Sequence, residues 1–104
     1  MESRRVALIT GSATGLGTQV AKGLAREGLH VVINYKNSIQ KAFLLQQEVN
    51  SFGVECILVQ GDISIKEDCE KIVSETIRHF GKLDILINNA GPYMFERKKL
   101  ADYG

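Results

Sequence analysis

The feature that most constrains this chain is the passage from Val6-Ala7-Leu8-Ile9 into Thr10-Gly11-Ser12-Ala13-Thr14-Gly15-Leu16-Gly17. The first four residues are aliphatic without polar alternation, the pattern of a strand covered on both faces in a parallel sheet. Beyond Gly17, Val20, Ala21, Leu24 and Ala25 recur at three- and four-residue spacing and predict a helix that ends near Gly28. Each glycine of the turn between them has a physical task. Gly11 permits the sharp exit from the strand, Gly15 removes a β-carbon where the backbone must approach a diphosphate, and Gly17 lets the helix pack close to the sheet. The amides at the helix start, with the positive end of its dipole, then face an anion. A tight βα connection that is merely rich in glycine would look the same in isolation, because the spacing differs from G-x-G-x-x-G.

The remainder of the chain repeats the alternation of strand and helix. His30-Val31-Val32-Ile33-Asn34 reads as a second strand, and Tyr35-Lys36-Asn37-Ser38 as a polar turn in which Ser38 can cap a helix running to about Phe52. The predicted buried face of that helix is Ala42, Leu45, Val49 and Phe52, with Gly53 as its stop. Cys56–Val59 is a third strand, leading to Gln60-Gly61-Asp62-Ile63. Ser64 and Glu67 have the spacing of a capping box for a third helix, striped with Cys69, Ile72, Val73, Ile77 and Phe80 and ended by Gly81. Ile85-Leu86-Ile87 is a fourth strand and runs into Asn88-Asn89-Ala90-Gly91. The order βαβαβαβ predicts an α/β doubly wound parallel sheet of Rossmann type, strand order 3-2-1-4, with right-handed crossovers and helices on both faces. A ligand crevice belongs between strands 1 and 4, where the direction of winding reverses. Gly11–Gly17 and Asn88–Gly91 flank it.

Composition narrows the function classes. The 104 residues are one small domain at most, and 13 basic against 12 acidic residues leave a net charge of +1, with no electrostatic footprint for nucleic acid or an anionic membrane. No apolar run has the length of a signal peptide or a membrane span, so the expected location is cytoplasmic. Cys56 and Cys69 fit buried reduced thiols. With no C-x-x-C pair and with His30 and His79 out of step with the cysteines, no metal site is expected. His79 falls in the last turn of the third helix, where a cation favours the dipole.

Thr10-Gly-x-x-x-Gly-x-Gly17, Asp62 after the third strand and Asn88-Asn89-Ala90-Gly91 after the fourth, at these separations, resemble the short-chain dehydrogenases/reductases. The resemblance covers essentially the whole chain and is strongest to members near the bacterial 3-oxoacyl-carrier-protein reductases. It implies an oxidoreductase that reduces a carbonyl or oxidises a secondary alcohol, with residues 1–104 as the dinucleotide-binding N-terminal part of one Rossmann domain. By that resemblance the cofactor is contacted by Gly11, Ser12, Thr14, Gly15, Leu16 and Gly17, by Tyr35 and Lys36, by the adenine-side pair Asp62 and Ile63, and by Asn89, Ala90 and Gly91. A carboxylate such as Asp62 can accept from the exocyclic amine of adenine, and it can equally serve as a helix-entry acid. Asn88 is read as a brace between strand ends.

Cofactor choice turns on the end of the second strand, where NAD-specific relatives carry a carboxylate for the ribose 2′-hydroxyl. Tyr35 and Lys36 stand there instead, and Lys36 could neutralise a 2′-phosphate, so NADP(H) is favoured over NAD(H). A solvated turn lysine is the plainer reading of the same residue. Thr14 departs from the basic residue many NADP-using relatives have in its place, though its hydroxyl could reach phosphate. The family's catalytic Tyr-x-x-x-Lys is not found: Tyr35 precedes Ile39 by four, Tyr93 precedes Arg97, and Tyr103 nears the last residue. The stretch Tyr93–Lys99 reads as a solvated basic face. No catalytic residue is therefore assigned, and strand 4, apolar on both faces yet last in the sequence, is expected to gain a partner from a longer reductase. That longer protein is expected to form a homo-oligomer on a small carbonyl or alcohol substrate. The alternative is a truncated nucleotide-binding or interaction module without turnover.

Overall fold

A computed structural model describes residues 4–13 and 15–89. Strand β1 (Val6–Ile9), helix α1 (Gly15–Arg26), β2 (His30–Tyr35), α2 (Ile39–Asn50), β3 (Cys56–Gln60), α3 (Lys66–Phe80) and β4 (Ile85–Ile87) follow one another in strict alternation. The sheet has the order β3-β2-β1-β4, with every pairing parallel. Val6 to Ile9 align with His30 to Ile33, and Ala7 to Ile9 align with Ile85 to Ile87.

Period-two alternation along β1 sorts its side chains into two cores. Ala7 and Ile9, with Val31 and Ile33, pack under Ala21 and Ala25 of α1 and Ala42, Leu45 and Val49 of α2. Val6 and Leu8, with Val32, pack under Ile72 and Val73 of α3. The central strand is therefore covered on both faces, which explains a run with no polar residue. Strand β4 pairs only with β1 among the described residues and stays half-buried along its length.

Four local expectations are corrected. Helix α2 stops at Asn50, and Phe52 lies beyond it, 36% exposed, with the Arg26 guanidinium carbon 5.2 Å from its ring centre. Phe52 thus has a cation to shield it rather than a place in the buried stripe. Ser38 occupies the N-cap position of α2, but its hydroxyl makes no capping bond, and the main-chain oxygen of Ser38 accepts from Ala42 N at 2.9 Å. The capping box of Ser64 and Glu67 does not form either, because the N-cap position of α3 falls on Ile65, which makes no side-chain capping bond. Ser64 instead gives its amide (2.9 Å) and hydroxyl (2.7 Å) to Asp62 Oδ1, a charged acceptor two residues back that holds it outside the helix. Strands β2 and β3 each run one residue further than the pattern suggests, to Tyr35 and Gln60.

Neither cysteine is in a disulfide and both are buried, and burial pushes the Cys56 thiol up to about 12 and raises that of Cys69. They remain protonated thiols at neutral pH. His79 meets Glu55 through Nε2 and packs edge-on to Phe80, so its place in the last turn of α3 is reinforced by a carboxylate. Among the described residues no helix is long and apolar enough to cross a membrane.

Candidate cofactor site at the carboxyl rim of the sheet

Parallel pairing brings the carboxyl ends of all the strands to one rim, and the turn leaving β1 is built into it from three sides. Gly11 and Gly15 adopt φ of 61° and 59°, a region that costs any residue with a β-carbon roughly 1–2 kcal/mol. Among the described residues a β-carbon on Gly15 would meet no atom within 4 Å, which leaves room there for a ligand to approach the backbone. Gly17 is the opposite case. A β-carbon there would lie 2.7 Å from Asn89 Nδ2, 2.8 Å from Ser12 Cα and 2.9 Å from Gly11 O. The expected close packing at Gly17 is thus real, and it is against the turn itself and the end of β4.

Among the described residues, the polar side chains of Thr10 and Ser12 are engaged within the protein. Ser12 is fully buried, donates its hydroxyl to Ile9 O at 2.9 Å and donates its amide to Asn34 O at 3.1 Å. Its side chain faces inward, so any contact of Ser12 with a ligand comes from the turn's main chain. Across the crevice, Thr10 Oγ1 donates to Asn88 Oδ1 at 3.2 Å and accepts from Asn89 N at 3.0 Å, while Asn89 Nδ2 donates to Gly11 O at 3.2 Å. Asn88 therefore braces the strand ends, and Asn89 shares that work while standing beside Gly17. Leu16, in the first turn of α1, is 71% exposed on the rim. That first turn carries no acidic residue, which leaves the positive end of the α1 dipole without a charge of its own.

Asn34 is the residue that the sequence pattern does not mark. Its side chain is buried; Oδ1 accepts from Gly11 N at 3.1 Å, and Nδ2 donates to Val59 O (3.2 Å) and Gly61 O (3.1 Å). One amide thus ties the glycine turn to the ends of both β2 and β3. The available signal is a single polar residue closing an otherwise apolar strand, because a buried amide must find partners there.

Beyond Asn34, a cavity of about 190 Å³ is lined by Gly11, Ala13, Tyr35, Lys36, Asn37 and Ser38. It joins the glycine turn to the end of β2. Its volume suits one part of a dinucleotide rather than the whole. A larger hollow of about 530 Å³ is formed by Ile39, Gln40, Phe43 and Leu44 of α2 alone, with no charged group and no glycine turn. Chemistry favours the smaller one as the site.

Lys36 Nζ lies 3.2 Å from Asp62 Oδ2. Asp62 is held in turn by Ser64 and by its own amide, which donates to Asp68 Oδ2 at 2.8 Å. The Ser64 hydroxyl and amide, and then the Lys36 ammonium, bring its carboxyl down to about 2. Asp62 is therefore an anion at the rim throughout the neutral range. The carbonyl of its neighbour Ile63 accepts from Cys69 Sγ at 3.1 Å, and the Ile63 side chain packs into the α3-side core. Thr14, Ala90 and Gly91, like the stretch Tyr93–Lys99, lie outside the described residues.

Comparison with known proteins agrees with this geometry. The short chain dehydrogenase family model matches residues 5–102, and the chain belongs to that family. It is 42% identical over 99 residues to YtkK of Bacillus subtilis, a putative oxidoreductase by name, in an alignment covering 95% of this chain and 39% of YtkK. It is 35% identical over 91 residues to the 3-oxoacyl-[acyl-carrier-protein] reductase FabG of Staphylococcus aureus, covering 88% of this chain and 37% of FabG. The chain thus spans about two-fifths of the length of these relatives. Among solved structures, a short-chain dehydrogenase/reductase from Serratia marcescens superposes with a TM-score of 0.82 at 31% identity, over 89% of this chain and 38% of that one. A Burkholderia cenocepacia structure with bound NADP (TM-score 0.79, 34% identity) covers 83% of this chain and 34% of its own. An NADH-dependent reductase complexed with NAD (TM-score 0.79, 33% identity) covers 86% and 37%. The class is therefore an oxidoreductase family with a Rossmann fold whose members bind either cofactor.

Proposed function

We propose that this chain forms the cofactor-binding half of an NADP(H)-preferring oxidoreductase that interconverts a carbonyl and a secondary alcohol. One observation carries the reading: the cavity beside the glycine turn is walled at the end of β2 by Tyr35 and Lys36, with a cation where a 2′-hydroxyl acceptor would stand. Gly11 and Gly15 shape the backbone that receives the diphosphate, Gly17 brings the α1 amides close to it, and Leu16 covers its edge. Asp62 and the adjoining Ile63 backbone border the adenine side, and Asn89 the side towards β4. The family resemblance adds Thr14, Ala90 and Gly91, which lie outside the described residues, to the same set of contacts. When bound, the nicotinamide supplies or takes up the hydride. The chain's own residues bind and orient; a proton-transferring Tyr-x-x-x-Lys is not among the 104 residues, so these residues alone bind cofactor without turnover.

The whole enzyme is proposed to act in the cytoplasm as a homo-oligomer on a small carbonyl or alcohol substrate. A net charge of +1 supports a partner other than nucleic acid. The test is equilibrium titration of the chain with NADPH and NADH, before and after Lys36→Ala. NADPH affinity is expected to fall about tenfold, the worth of one charge-assisted contact, with NADH little changed. Equal losses for both cofactors would remove the NADP(H) assignment. Binding by a full-length protein that never oxidises NADPH with any carbonyl would favour the second reading, a nucleotide-binding module without turnover.

A further inference from the structure

The cation assigned to the 2′-phosphate is already engaged. Lys36 Nζ reaches Asp62 Oδ2 at 3.2 Å, and the two partners are held very differently. Asp62 is fixed: Ser64 gives its Oδ1 two hydrogen bonds and Asp68 holds its amide. Lys36 is held through its main chain, whose carbonyl accepts from Gln60 Nε2 at 3.0 Å, while its side chain is 62% exposed. The anchored carboxylate therefore decides where the ammonium rests. Tyr35 pairs with Gln60, so the two charges sit just past the ends of adjacent strands, and Lys36 also lines the cavity.

Resting on the proposed function, we infer that Asp62 limits the NADP(H)-over-NAD(H) preference of this site by competing with the 2′-phosphate for Lys36. A 2′-phosphate must draw Lys36 away from a partner of the same sign as itself, whereas a 2′-hydroxyl leaves the ion pair intact. The competition is constant through the neutral range, since the Ser64 bonds keep Asp62 charged. An exposed ion pair is weak, so Asp62 lowers the preference without reversing it. Contact between Asp62 and adenine affects both cofactors alike and cancels in the ratio of their affinities. The ratio therefore isolates the coupling to Lys36.

The experiment is a titration of the full-length chain with NADPH and NADH for the parent, Asp62→Asn, Lys36→Gln and the double variant. Asparagine keeps the Oδ1 acceptor for both Ser64 bonds, so the loop retains its support. In Asp62→Asn the ratio of NADH to NADPH dissociation constants is expected to rise about threefold, within the range of exposed ion pairs. In the Lys36→Gln background the same substitution is expected to leave the ratio near its starting value. An unchanged or smaller ratio in Asp62→Asn would overturn the inference, because Asp62 would then be holding Lys36 ready for phosphate. An equal rise in the Lys36→Gln background would overturn it too, showing a direct effect of the carboxylate on phosphate. Failure of the parent to bind either cofactor would overturn the proposed function, and this inference with it.

Discussion

Helices α1 and α3 both begin at the carboxyl rim of one sheet, and their first turns are made in opposite ways. Helix α3 neutralises its own start: Glu67 and Asp68 lie in its first turn, and Asp68 Oδ2 accepts the amide of Asp62. Helix α1 has no acid there, and it is entered through Gly11 and Gly15 in the left-handed region. The first arrangement satisfies the helix dipole from within the chain; the second leaves it for something from outside. The difference also shows where the surrounding structure has been spent. Around α3 a short acidic loop is enough, while the turn before α1 is braced by Asn34, Thr10, Asn88 and Asn89. A backbone that must keep an unusual shape with no ligand present needs that support.

The brace that reaches furthest is Asn34, and removing it should have the largest effect. Asn34→Ala strips an acceptor from Gly11 N and a donor from Val59 O and Gly61 O, all linked through one buried side chain. A loss of about 2–4 kcal/mol in urea unfolding is expected, together with a fall in NADPH affinity, because several buried groups lose partners at once. If stability fell while affinity held, the turn would be maintained without Asn34, and the contrast with α3 would rest on the glycines alone.

Gly17 tests that contrast within a single helix. Gly17→Ala would drive a methyl against Ser12 Cα and Gly11 O, main-chain atoms that cannot swing aside. The expected cost is about 1–3 kcal/mol, and cofactor binding should weaken more than about tenfold as the α1 amides are pushed back. Gly23→Ala in the same helix meets no atom within 4 Å and should stabilise by about 0.5–1 kcal/mol, with affinity unchanged. Matched denaturation curves and titrations of the two variants read both effects. Similar behaviour at Gly17 and Gly23 would mean that α1 approaches the turn less closely than these distances require.

How much of this is legible in the sequence differs between elements for physical reasons. Strand β1 and the stripes of α1 and α3 are readable because burial on both faces, or on one, leaves a periodic record in residue type. The strand order and the pairing of Gly11–Gly17 with Asn88–Asn89 follow from the alternation of elements. What escapes is the routing of polar groups. Ser64 and Glu67 have the spacing of a capping box, yet spacing cannot show that Asp62, two residues earlier, captures Ser64. Phe52 has the right phase for the α2 face but falls after the helix has ended. Lys36 and Asp62 each read as cofactor contacts, and only the register of β2 on β3 places them in contact with each other. Asn34 reads as a strand residue and nothing more, since its partners lie 23 and 27 positions away.

The mildest change should sharpen the comparison most, because it moves stability and binding in opposite directions. Leu16→Glu gives α1 the acidic first turn that α3 has, at a side chain 71% exposed, so little packing is lost. An acid beside the positive end of the dipole should stabilise the unliganded protein by about 0.3–1 kcal/mol, more at low ionic strength than at high. The same charge would stand beside the diphosphate, and a like charge within about 5 Å in partly screened surroundings should weaken NADPH and NADH together by about tenfold. Thermal melts at two salt concentrations, paired with titrations, separate the effects. A variant with both higher stability and undiminished affinity would show that the amides of α1 do not face the phosphates. A variant with lower stability and lower affinity would make Leu16 a packing residue of the turn. Only gain in one and loss in the other fits a helix start left open for an anion.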